Sequence, residues 1–445
     1  MEKEEYSLIS EIESIAEKFI EKTKDKDIFV ISHFDTDGIT SATIMIQTLK
    51  KMDKRFSLKI VKRLEEETIS SLPKDKVILF LDLASSSLNH LLDSGIKDIF
   101  IIDHHEIFQA VPEGITILNP QLNGKEELSS SSLTYLFCKK LNSENNELAK
   151  LAILGMIGDS MEKSIDKLNN DIINDGEVKR KRGFLIYPST RPLNRTLEYN
   201  SEPYIPGITG NAKGVLELLR EVGLNANSGK YKSLIELDEG EMSKLVTAIL
   251  LKNPKVKNKE MIGDIFLIKL FNKLEDAREL SAIVNACSRL GESETAIQFC
   301  MESQKAKRRA EAVHTKYKQV IISGLNSASE AEKIEGNGFV IINAKDKIKD
   351  TVIGTIASIL SNSAIYEDGT IITAMAYYDD KIKVSARSVG KSGRNIREIL
   401  SDIIEKIGGE VGGHEFAAGC MLKRDKEKEF IDLLKKSLEI EMVKI

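Results

Sequence analysis

A chain of 445 residues is too long for one hydrophobic core and predicts two or three domains. Its 41% apolar and 30% charged residues exclude an intrinsically disordered protein, and no apolar run approaches the roughly 20 residues that span a bilayer. The net charge of −5 argues against a protein coated in nucleic acid, but it is compatible with a local basic channel. The four dispersed cysteines and the acidic start of the chain, which does not fit a signal peptide, lead us to expect a cytoplasmic protein with no place in a membrane.

Predicted strands and helices alternate through residues 1–165. The predicted strands comprise residues 28–32, 58–61, 77–81, 99–102 and 115–118, and the predicted helices comprise residues 8–20, 40–51, 130–141 and 147–157. This alternation predicts an α/β fold, in which a doubly wound, mostly parallel sheet carries helices on both faces.

Carboxylates and histidines follow the predicted strands at the points where the strands end. In a parallel sheet, ligands bind outside the carboxyl ends of the strands, so these distant positions are expected to meet. The residues concerned are His33, Asp35, Asp37, Asp82, Asp103, His104 and His105.

Four or more carboxylates in one cleft repel each other by several kcal/mol at the dielectric of a protein surface. Bound cations relieve that repulsion. A mixture of carboxylate oxygens and imidazole nitrogens suits divalent cations, and its richness in oxygen favours Mn²⁺ or Mg²⁺. The number of ligands is sufficient for two metal ions, an arrangement that cleaves phosphate esters.

Four motifs in this region resemble, in their order, those of the DHH phosphoesterase superfamily. They are Ser32–Gly38 (SHFDTDG), Asp82, the triplet Asp103-His104-His105 and the pair Gly158-Asp159. Each motif alone is weak, but the four in order, each at the end of an apolar segment, are highly specific.

The resemblance implies two divalent metal ions, with Mn²⁺ favoured over Mg²⁺. It assigns His33, Asp35 and Asp82 to one ion, and it assigns Asp37, Asp82, His104 and Asp159 to the other. Asp82 would bridge the two ions, and a water between them would be the nucleophile.

The same resemblance separates the roles within the triplet. His105 is implied to contact the substrate phosphate or to transfer a proton, and Asp103 is implied to orient a ligand histidine. The residues expected to carry catalysis are therefore Asp37, Asp82, Asp103 and His105.

The middle of the chain carries less readable chemistry. Residues 166–275 predict a mainly helical inserted module, and residues 276–329 predict connecting helices. The stretch 285–290 (NACSRL) resembles a segment of RecJ-like nucleases, which implies that Arg289 faces a nucleic-acid phosphate.

Residues 330–445 predict a smaller α/β domain. Predicted strands at 339–343, 370–378 and 381–388 and predicted helices at 352–360 and 395–407 precede a glycine-rich stretch at 408–419. Closely spaced glycines let backbone amides approach an anion, although a plain turn between helix and strand is the simpler alternative. Nearby, Ser385 offers a hydroxyl and Arg387 offers a guanidinium that can bind two phosphate oxygens.

This pair of motifs resembles the DHHA1 domain that follows DHH domains in RecJ-like nucleases. The resemblance implies that Arg387 and His414 bind the phosphate or terminal nucleotide of the substrate. The full set of expected substrate-binding residues is Arg289, Ser385, Arg387, Gly412, Gly413 and His414.

The resemblance as a whole implies an archaeal RecJ-like exonuclease that removes nucleotides from single-stranded DNA or RNA, in DNA replication or repair. Two alternatives stay open. One is a phosphodiesterase of dinucleotides or short oligonucleotides, and the other is a replisome scaffold that binds the GINS complex and retains some nuclease activity. A complete set of metal ligands favours catalysis over a purely structural role.

Overall fold

The computed structural model describes residues 8–107, 109–123, 127–163, 165–200, 205, 207–252, 262–363, 365–390 and 393–439. The chain divides into two compact units. The first comprises Met1–Thr196, Gly223–Val246 and Asn258–His314, and the second comprises Leu197–Val222, Thr247–Lys257 and Thr315–Ile445. The last of these boundaries falls inside a helix, 15 residues before the boundary predicted at 329/330.

A five-stranded parallel sheet forms the centre of the first unit, as predicted. Its strand order is β2-β1-β3-β4-β5. The strands are β1 Ile28–His33, β2 Phe56–Val61, β3 Val77–Leu81, β4 Ile99–Ile102 and β5 Ile115–Leu118. Because parallel sheets are covered on both faces, β3 and β4 consist of continuous apolar runs, whereas the edge strand β2 contains Ser57 and Lys59.

Two hydrophobic cores cover the two faces of this sheet. Val30, Leu79 and Phe100 face one core, which also receives helices α1, α2, α6 and α7. Ile31 and Phe80 face the other core, which receives α3 and α4. The helices are α1 Leu8–Lys22, α2 Thr36–Lys51, α3 Glu66–Ser70, α4 Leu88–Asp93, α5 Pro120–Asn123, α6 Ser130–Leu141 and α7 Ala149–Gly158. The predicted doubly wound architecture is confirmed.

Helix α2 begins four residues before its predicted start. The side chain of Asp35 caps it, because Asp35 Oδ1 accepts a hydrogen bond of 3.0 Å from the backbone amide of Gly38. As a result, Asp37 lies in the first helical turn and is fully buried.

The segment predicted to be a mainly helical module also contains strands. Its helices are α8 Lys167–Asp175, α9 Leu193–Tyr199, α10 Ala212–Glu221 and α11 Glu239–Lys252. An antiparallel sheet of order β6-β7-β8 accompanies them, with β6 Lys179–Phe184, β7 Ile262–Leu270 and β8 Lys273–Asp276. Three helices follow: α12 Ala277–Arg289, α13 Ser293–Cys300 and α14 Gln304–Glu330.

A six-stranded sheet of order β13-β14-β12-β11-β10-β9 dominates the second unit. Its strands are β9 Lys333–Gly336, β10 Phe339–Asn343, β11 Ile371–Tyr378, β12 Lys381–Ser388, β13 Glu410–His414 and β14 Ala417–Lys423. The helices are α15 Asp350–Ser361, α16 Ile396–Ile407 and α17 Glu427–Glu439. The glycine-rich stretch therefore forms an edge strand and a hairpin, where the sequence predicted a nest or a turn.

Over the described parts of the chain, none of the helices combines the length and the apolar composition that crossing a lipid bilayer requires.

Candidate metal centre and substrate-binding residues

The parallel strands deliver the predicted ligands to one edge of the first sheet. Leu81 pairs with Ser32 on one side and with Ile102 on the other, so that β1, β3 and β4 end side by side. His33 is the last residue of β1, Asp82 follows β3, and the triplet 103–105 follows β4. Motifs that are far apart in the sequence thus lie together at one edge of the sheet.

The first group of potential ligands consists of His33, Asp35 and Asp82. His33 Nδ1 lies 2.9 Å from Asp35 Oδ2 and 3.3 Å from Asp82 Oδ2. Asp82 adopts a left-handed backbone conformation, with φ at 61°. This conformation is uncommon outside glycine, although Asp tolerates it better than most residues.

The second group consists of Asp37, His104 and Asp159. His104 Nε2 lies 3.1 Å from Asp159 Oδ2 and 3.7 Å from Asp82 Oδ1. Asp82 therefore lies against both groups, with one carboxylate oxygen towards each. A third group of potential ligands, Asp82, His104 and His105, overlaps both, so the predicted assignment of residues to each metal ion stays a prediction.

Two atoms of this cluster test whether it fits a cation. Asp82 Oδ1 and His104 Nε2 are buried and, among the described residues, make no hydrogen bond of acceptable geometry. A buried polar atom without a hydrogen bond costs about 1–3 kcal/mol, and for His104 Nε2 the charge of Asp159, 3.1 Å away, offsets part of that cost. Because an oxygen and an imidazole nitrogen are both good ligands of Mn²⁺, Mg²⁺ and related ions, the donor set fits a divalent metal.

The N-terminus of α6 holds Asp37 in place. The amide of Ser130 donates to Asp37 Oδ2 at 2.7 Å, and the amide of Ser131 donates to Asp37 Oδ1 at 3.0 Å. A Cβ at Gly155 would lie 2.3 Å from Asp37 Oδ1, so only glycine fits beside this carboxylate. This contact was not predicted from the sequence, and the serine run at 129–132 was the signal that could have indicated it.

Asp103 and His105 form a hydrogen-bonded pair next to the cluster, with His105 Nδ1 3.9 Å from Asp82 Oδ1. Asp103 Oδ1 accepts from His105 Nδ1 at 2.7 Å and from the His104 amide at 2.9 Å, while Asp103 Oδ2 accepts from the Ser85 amide at 3.0 Å. Asp103 is fully buried, whereas the side chain of His105 is 49% exposed. This arrangement is compatible with the predicted division of labour, in which Asp103 orients a histidine and His105 contacts substrate.

Asn119 secures the same loop and was missed from the sequence. It is fully buried, and its Nδ2 donates to His105 O at 2.9 Å and to Ser85 Oγ at 3.1 Å. Because Asn119 follows β5 directly, its position at a strand end was the available signal.

The carboxylates shift one another's pKa values in opposite directions. Burial and the charge of Asp159 raise the pKa of Asp37 to about 6. Burial and the charge of Asp35 raise the pKa of Asp82 well above its usual range. Burial opposes the charged form of Asp35, but the charge and hydrogen bond of His33, together with the Gly38 amide, lower its pKa overall.

The histidines of the triplet respond to the same negative charge. Burial opposes the imidazolium of His104, but the neighbouring carboxylates of Asp159 and Asp37 raise its pKa to about 9. Burial opposes the charged form of Asp103, but the hydrogen bond and charge of His105, together with a hydrogen bond from Ser85, lower its pKa overall. Protons thus compensate the negative charge of the metal-free cluster, and a cation would displace them.

Cationic side chains surround this edge of the sheet. Arg289 lies in the last turn of α12, with its guanidinium carbon 5.0 Å from the centroid of the Phe34 ring. Lys62 and Arg63 directly follow β2, whose last residue Val61 pairs with His33, and both are exposed. This basic pair was not predicted to belong to the site, although its position directly after a predicted strand was the available signal.

The predicted substrate-binding residues of the second unit share three neighbouring strands. Arg387 on β12 pairs with Ala417 on β14, which pairs with His414 on β13. Ser385, Gly419 and Gly412 form the equivalent row two residues away. Since side chains alternate along a strand, Ser385, Arg387, Gly412 and His414 belong to one face, and Gly413 belongs to the opposite one.

Helix α15 fixes the guanidinium of Arg387. Arg387 Nε donates to Ser358 Oγ at 3.1 Å, and its Nη1 donates to Ala386 O at 2.8 Å. A Cβ at Gly354 would lie 3.3 Å from Ser385 Oγ and 3.8 Å from Arg387 Nη2. Ser358 was not identified from the sequence, because nothing local relates α15 to β12.

Comparison with protein families matches three separate parts of the chain. The N-terminal domain of the DHH family matches residues 27–158, the DHH-CID domain matches residues 186–261, and the DHHA1 domain matches residues 337–439. The predicted resemblance is confirmed by these matches.

Two relatives align with more than nine tenths of this chain. An uncharacterized protein of Methanocaldococcus jannaschii is 28% identical over 443 residues, which cover 95% of this chain and 96% of that protein. The single-stranded-DNA-specific exonuclease RecJ of Bacillus subtilis is 23% identical over 428 residues, which cover 91% of this chain. This chain spans only 44% of the length of that exonuclease.

A solved structure of the exonuclease RecJ bound to manganese shares the fold. It superimposes with a TM-score of 0.60 at 16% sequence identity, covering 98% of this chain and 97% of that one. The similarity extends over both units of the chain.

Proposed function

Since this chain is a RecJ-like member of the DHH superfamily, we propose that it is a metal-dependent exonuclease that hydrolyses single-stranded DNA or RNA in DNA replication or repair. One observation carries the proposal. Asp82 belongs to the first group of potential ligands and places its Oδ1 3.7 Å from His104 Nε2 of the second group, and both of these buried atoms make no hydrogen bond among the described residues. The single-strand specificity of the Bacillus subtilis relative supports the choice of substrate.

The ligand groups would hold two divalent metal ions, with Mn²⁺ our first choice because one similar RecJ structure contains manganese. His33, Asp35 and Asp82 would bind one ion, and Asp37, Asp82, His104 and Asp159 would bind the other. When bound, such ions lower the pKa of a water and stabilise the charge that develops on a phosphate.

The chain's own side chains would bind and orient the substrate. In the first unit, Arg289 would bind a phosphate, and His105 would contact the phosphate under reaction or transfer a proton through its exposed ring. Asp103 keeps His105 oriented through the hydrogen bond to Nδ1. In the second unit, Ser385, Arg387 and His414 would bind a further part of the strand with the backbone at Gly412 and Gly413.

The test is digestion of 5′- and 3′-labelled DNA and RNA strands with Mn²⁺ and with Mg²⁺. We expect His104→Ala and Asp37→Ala to reduce hydrolysis at least about 100-fold, because each removes a ligand of the same ion. His90→Ala is the matched control, since His90 is an exposed histidine in α4 of the same unit. Wild-type rates for the two ligand variants would refute the proposal.

Comparing rates on long single strands and on dinucleotides separates the exonuclease from the alternative phosphodiesterase of short substrates. Long strands favour the proposal if they are degraded faster per end. Binding of GINS stays a prediction, and co-purification from the native host would test it.

A further inference from the structure

The Arg289 side chain is held through Nε, whereas its two terminal amino groups have no hydrogen-bond partner among the described residues. Its Nε donates to Asn285 Oδ1 at 3.4 Å, within the same helix. Among the residues that the structure describes, its two terminal amino groups make no hydrogen bond and no ion pair. A cation at a helix C-terminus ordinarily contacts the last carbonyl groups. Arg289 does not, so capping of the helix does not explain its orientation.

The ring of Phe34 provides the surface on which the guanidinium rests. The guanidinium carbon lies 5.0 Å from the ring centroid, within the range of a cation–π contact. Such stacking occupies the face of the guanidinium and leaves its N–H edges available. Those edges are the groups that bind two oxygens of a phosphate.

Phe34 is an unusual residue at this position on packing grounds. It lies between the potential ligands His33 and Asp35, is half-buried, and belongs to neither core that covers the sheet. Its ring contacts the His33 ring edge to face, at 5.0 Å and 87°. Phe34 thus touches a potential metal ligand on one side and a cation on the other.

Helix α12, which carries Arg289, is hydrogen-bonded to the first residue of α2, two positions after Phe34. Asp276 caps the first turn of α12, and Thr36 Oγ1 donates to Ser281 O, in the second turn, at 3.3 Å. What is left to fix is the long side chain of Arg289, whose rotamers carry about 2 kcal/mol of entropy. An aromatic face restricts those rotamers without consuming a hydrogen-bond donor.

We propose that Phe34 is a positioning residue, which holds the Arg289 guanidinium ready for a phosphate of the bound strand. This inference rests on the proposed function for its ligand, a single-stranded nucleic acid. Phe34 acts through Arg289, and its contact with His33 is packing with no part in metal binding.

A double-mutant cycle tests the coupling. Binding of a fluorescein-labelled single strand is measured by anisotropy with Mn²⁺, in an Asp37→Asn background so that the strand is not consumed. We expect Phe34→Leu to weaken binding about 5-fold, the size of one partly exposed cation–π contact. Phe34→Tyr, which keeps the aromatic face, should bind normally. In an Arg289→Gln protein, Phe34→Leu should have no further effect.

One further measurement and one control variant distinguish positioning of Arg289 from a general structural role of Phe34. The Mn²⁺ concentration that gives half the maximum rise in Tm should be unchanged by Phe34→Leu. Phe29→Leu, the same change at a partly buried residue of β1, should leave strand binding unchanged. The proposal would be overturned if the effects of Phe34→Leu and Arg289→Gln were additive, or if either of these two variants bound the strand normally. It would also be overturned if Phe34→Leu shifted the Mn²⁺ midpoint, or if Phe29→Leu weakened strand binding equally.

The outcome is separable from that of the nuclease proposal. A protein that shows this coupling but cleaves no strand refutes the nuclease and retains the role of Phe34. An active nuclease in which the two residues contribute independently refutes only the role of Phe34.

Discussion

Asp82 Oδ1 and His104 Nε2 lie 3.7 Å apart, both are buried, and neither makes a hydrogen bond within the described structure. They come from neighbouring strand ends, after β3 and β4. An oxygen and a nitrogen this close together are potential ligands of one metal ion, so the effect of Mn²⁺ on the stability of the protein should depend on them.

Asp82→Asn should separate the effect of this carboxylate on the stability of the metal-free protein from its effect on stabilisation by Mn²⁺. Without metal, the variant should be at least as stable as the wild type, because it removes a carboxyl group whose charged form burial and Asp35 disfavour. With Mn²⁺, it should lose most of the Tm increase that the wild type shows, because ligand binding stabilises the folded state. Thermal unfolding in EDTA and in Mn²⁺ measures both.

Asp98→Asn is the control for that experiment. Lys26 outweighs burial and lowers the pKa of Asp98, which lies just before the start of β4. Its replacement should lower Tm in both conditions and leave the Mn²⁺-dependent increase intact. An unchanged Mn²⁺ effect in Asp82→Asn would contradict the assignment of Asp82.

The metal-free protein should be destabilised by Asp37 as pH rises. Because the folded-state pKa of Asp37 is about 6 and its ordinary value is 3.8, the folded state binds this proton more tightly than the unfolded state. Its contribution is therefore fully present below about pH 4 and is lost as pH rises through 6. The shift corresponds to about 3 kcal/mol as an order of magnitude.

Urea unfolding in EDTA at intervals from pH 4 to 7 checks this dependence. Asp37→Asn should remove the part of the pH dependence that falls between pH 4 and 6, so its difference from the wild type should change across that window. A constant difference would show that Asp37 is not protonated in the folded state.

Gly412 and Gly413 should respond differently to alanine. A Cβ at Gly413 would lie 2.4 Å from Ala417 O, and its φ of 116° suits only glycine, so Gly413→Ala should cost at least about 1–2 kcal/mol of stability. A Cβ at Gly412 would meet nothing within 4 Å, so Gly412→Ala should fold normally. If the nucleic acid contacts β13, Gly412→Ala should still weaken the binding of single-stranded nucleic acid. Denaturant unfolding and anisotropy measure the two effects, and normal binding would remove Gly412 from the substrate site.

Ser358→Ala should impair Arg387 without unfolding its domain. The hydrogen bond from Arg387 Nε is lost, which costs about 1 kcal/mol, and the guanidinium gains freedom. We expect KM for single strands to rise several-fold with little change in kcat. Ser363→Ala is the matched control, because its hydroxyl donates only to Leu360 O near the end of the same helix. Equal effects of both variants would indicate a general loosening of α15.

Local sequence predicted much of the first unit because its strands are short, continuous apolar runs bounded by polar residues. The predicted bounds of β3, β4 and β5 coincide with those in the structure. The start of α2 was misjudged because Asp35 and Asp37 look like loop residues. In the structure, one of them caps the helix and the other is buried against the serine amides of α6.

The conformation of the glycine-rich stretch could not be predicted from local sequence. Glycine suits a turn, an anion-binding nest or a close approach of strands, and the sequence does not distinguish them. Pairing of β13 with β14 decides the matter, because the Cβ positions of Gly409 and Gly413 are occupied by backbone oxygens of β14.

By itself, the sequence determined the order of apolar segments, the chemistry at their ends and the family to which the chain belongs. Those features are local, because a strand and the residue after it are contiguous in the chain. Only the tertiary structure decided which residues support the site: α6 beneath Asp37, Asn119 behind His105, Phe34 under Arg289 and Ser358 beside Arg387. These contacts join residues from 14 to 255 positions apart, and they arise from the packing of whole elements, which no local pattern of residues encodes.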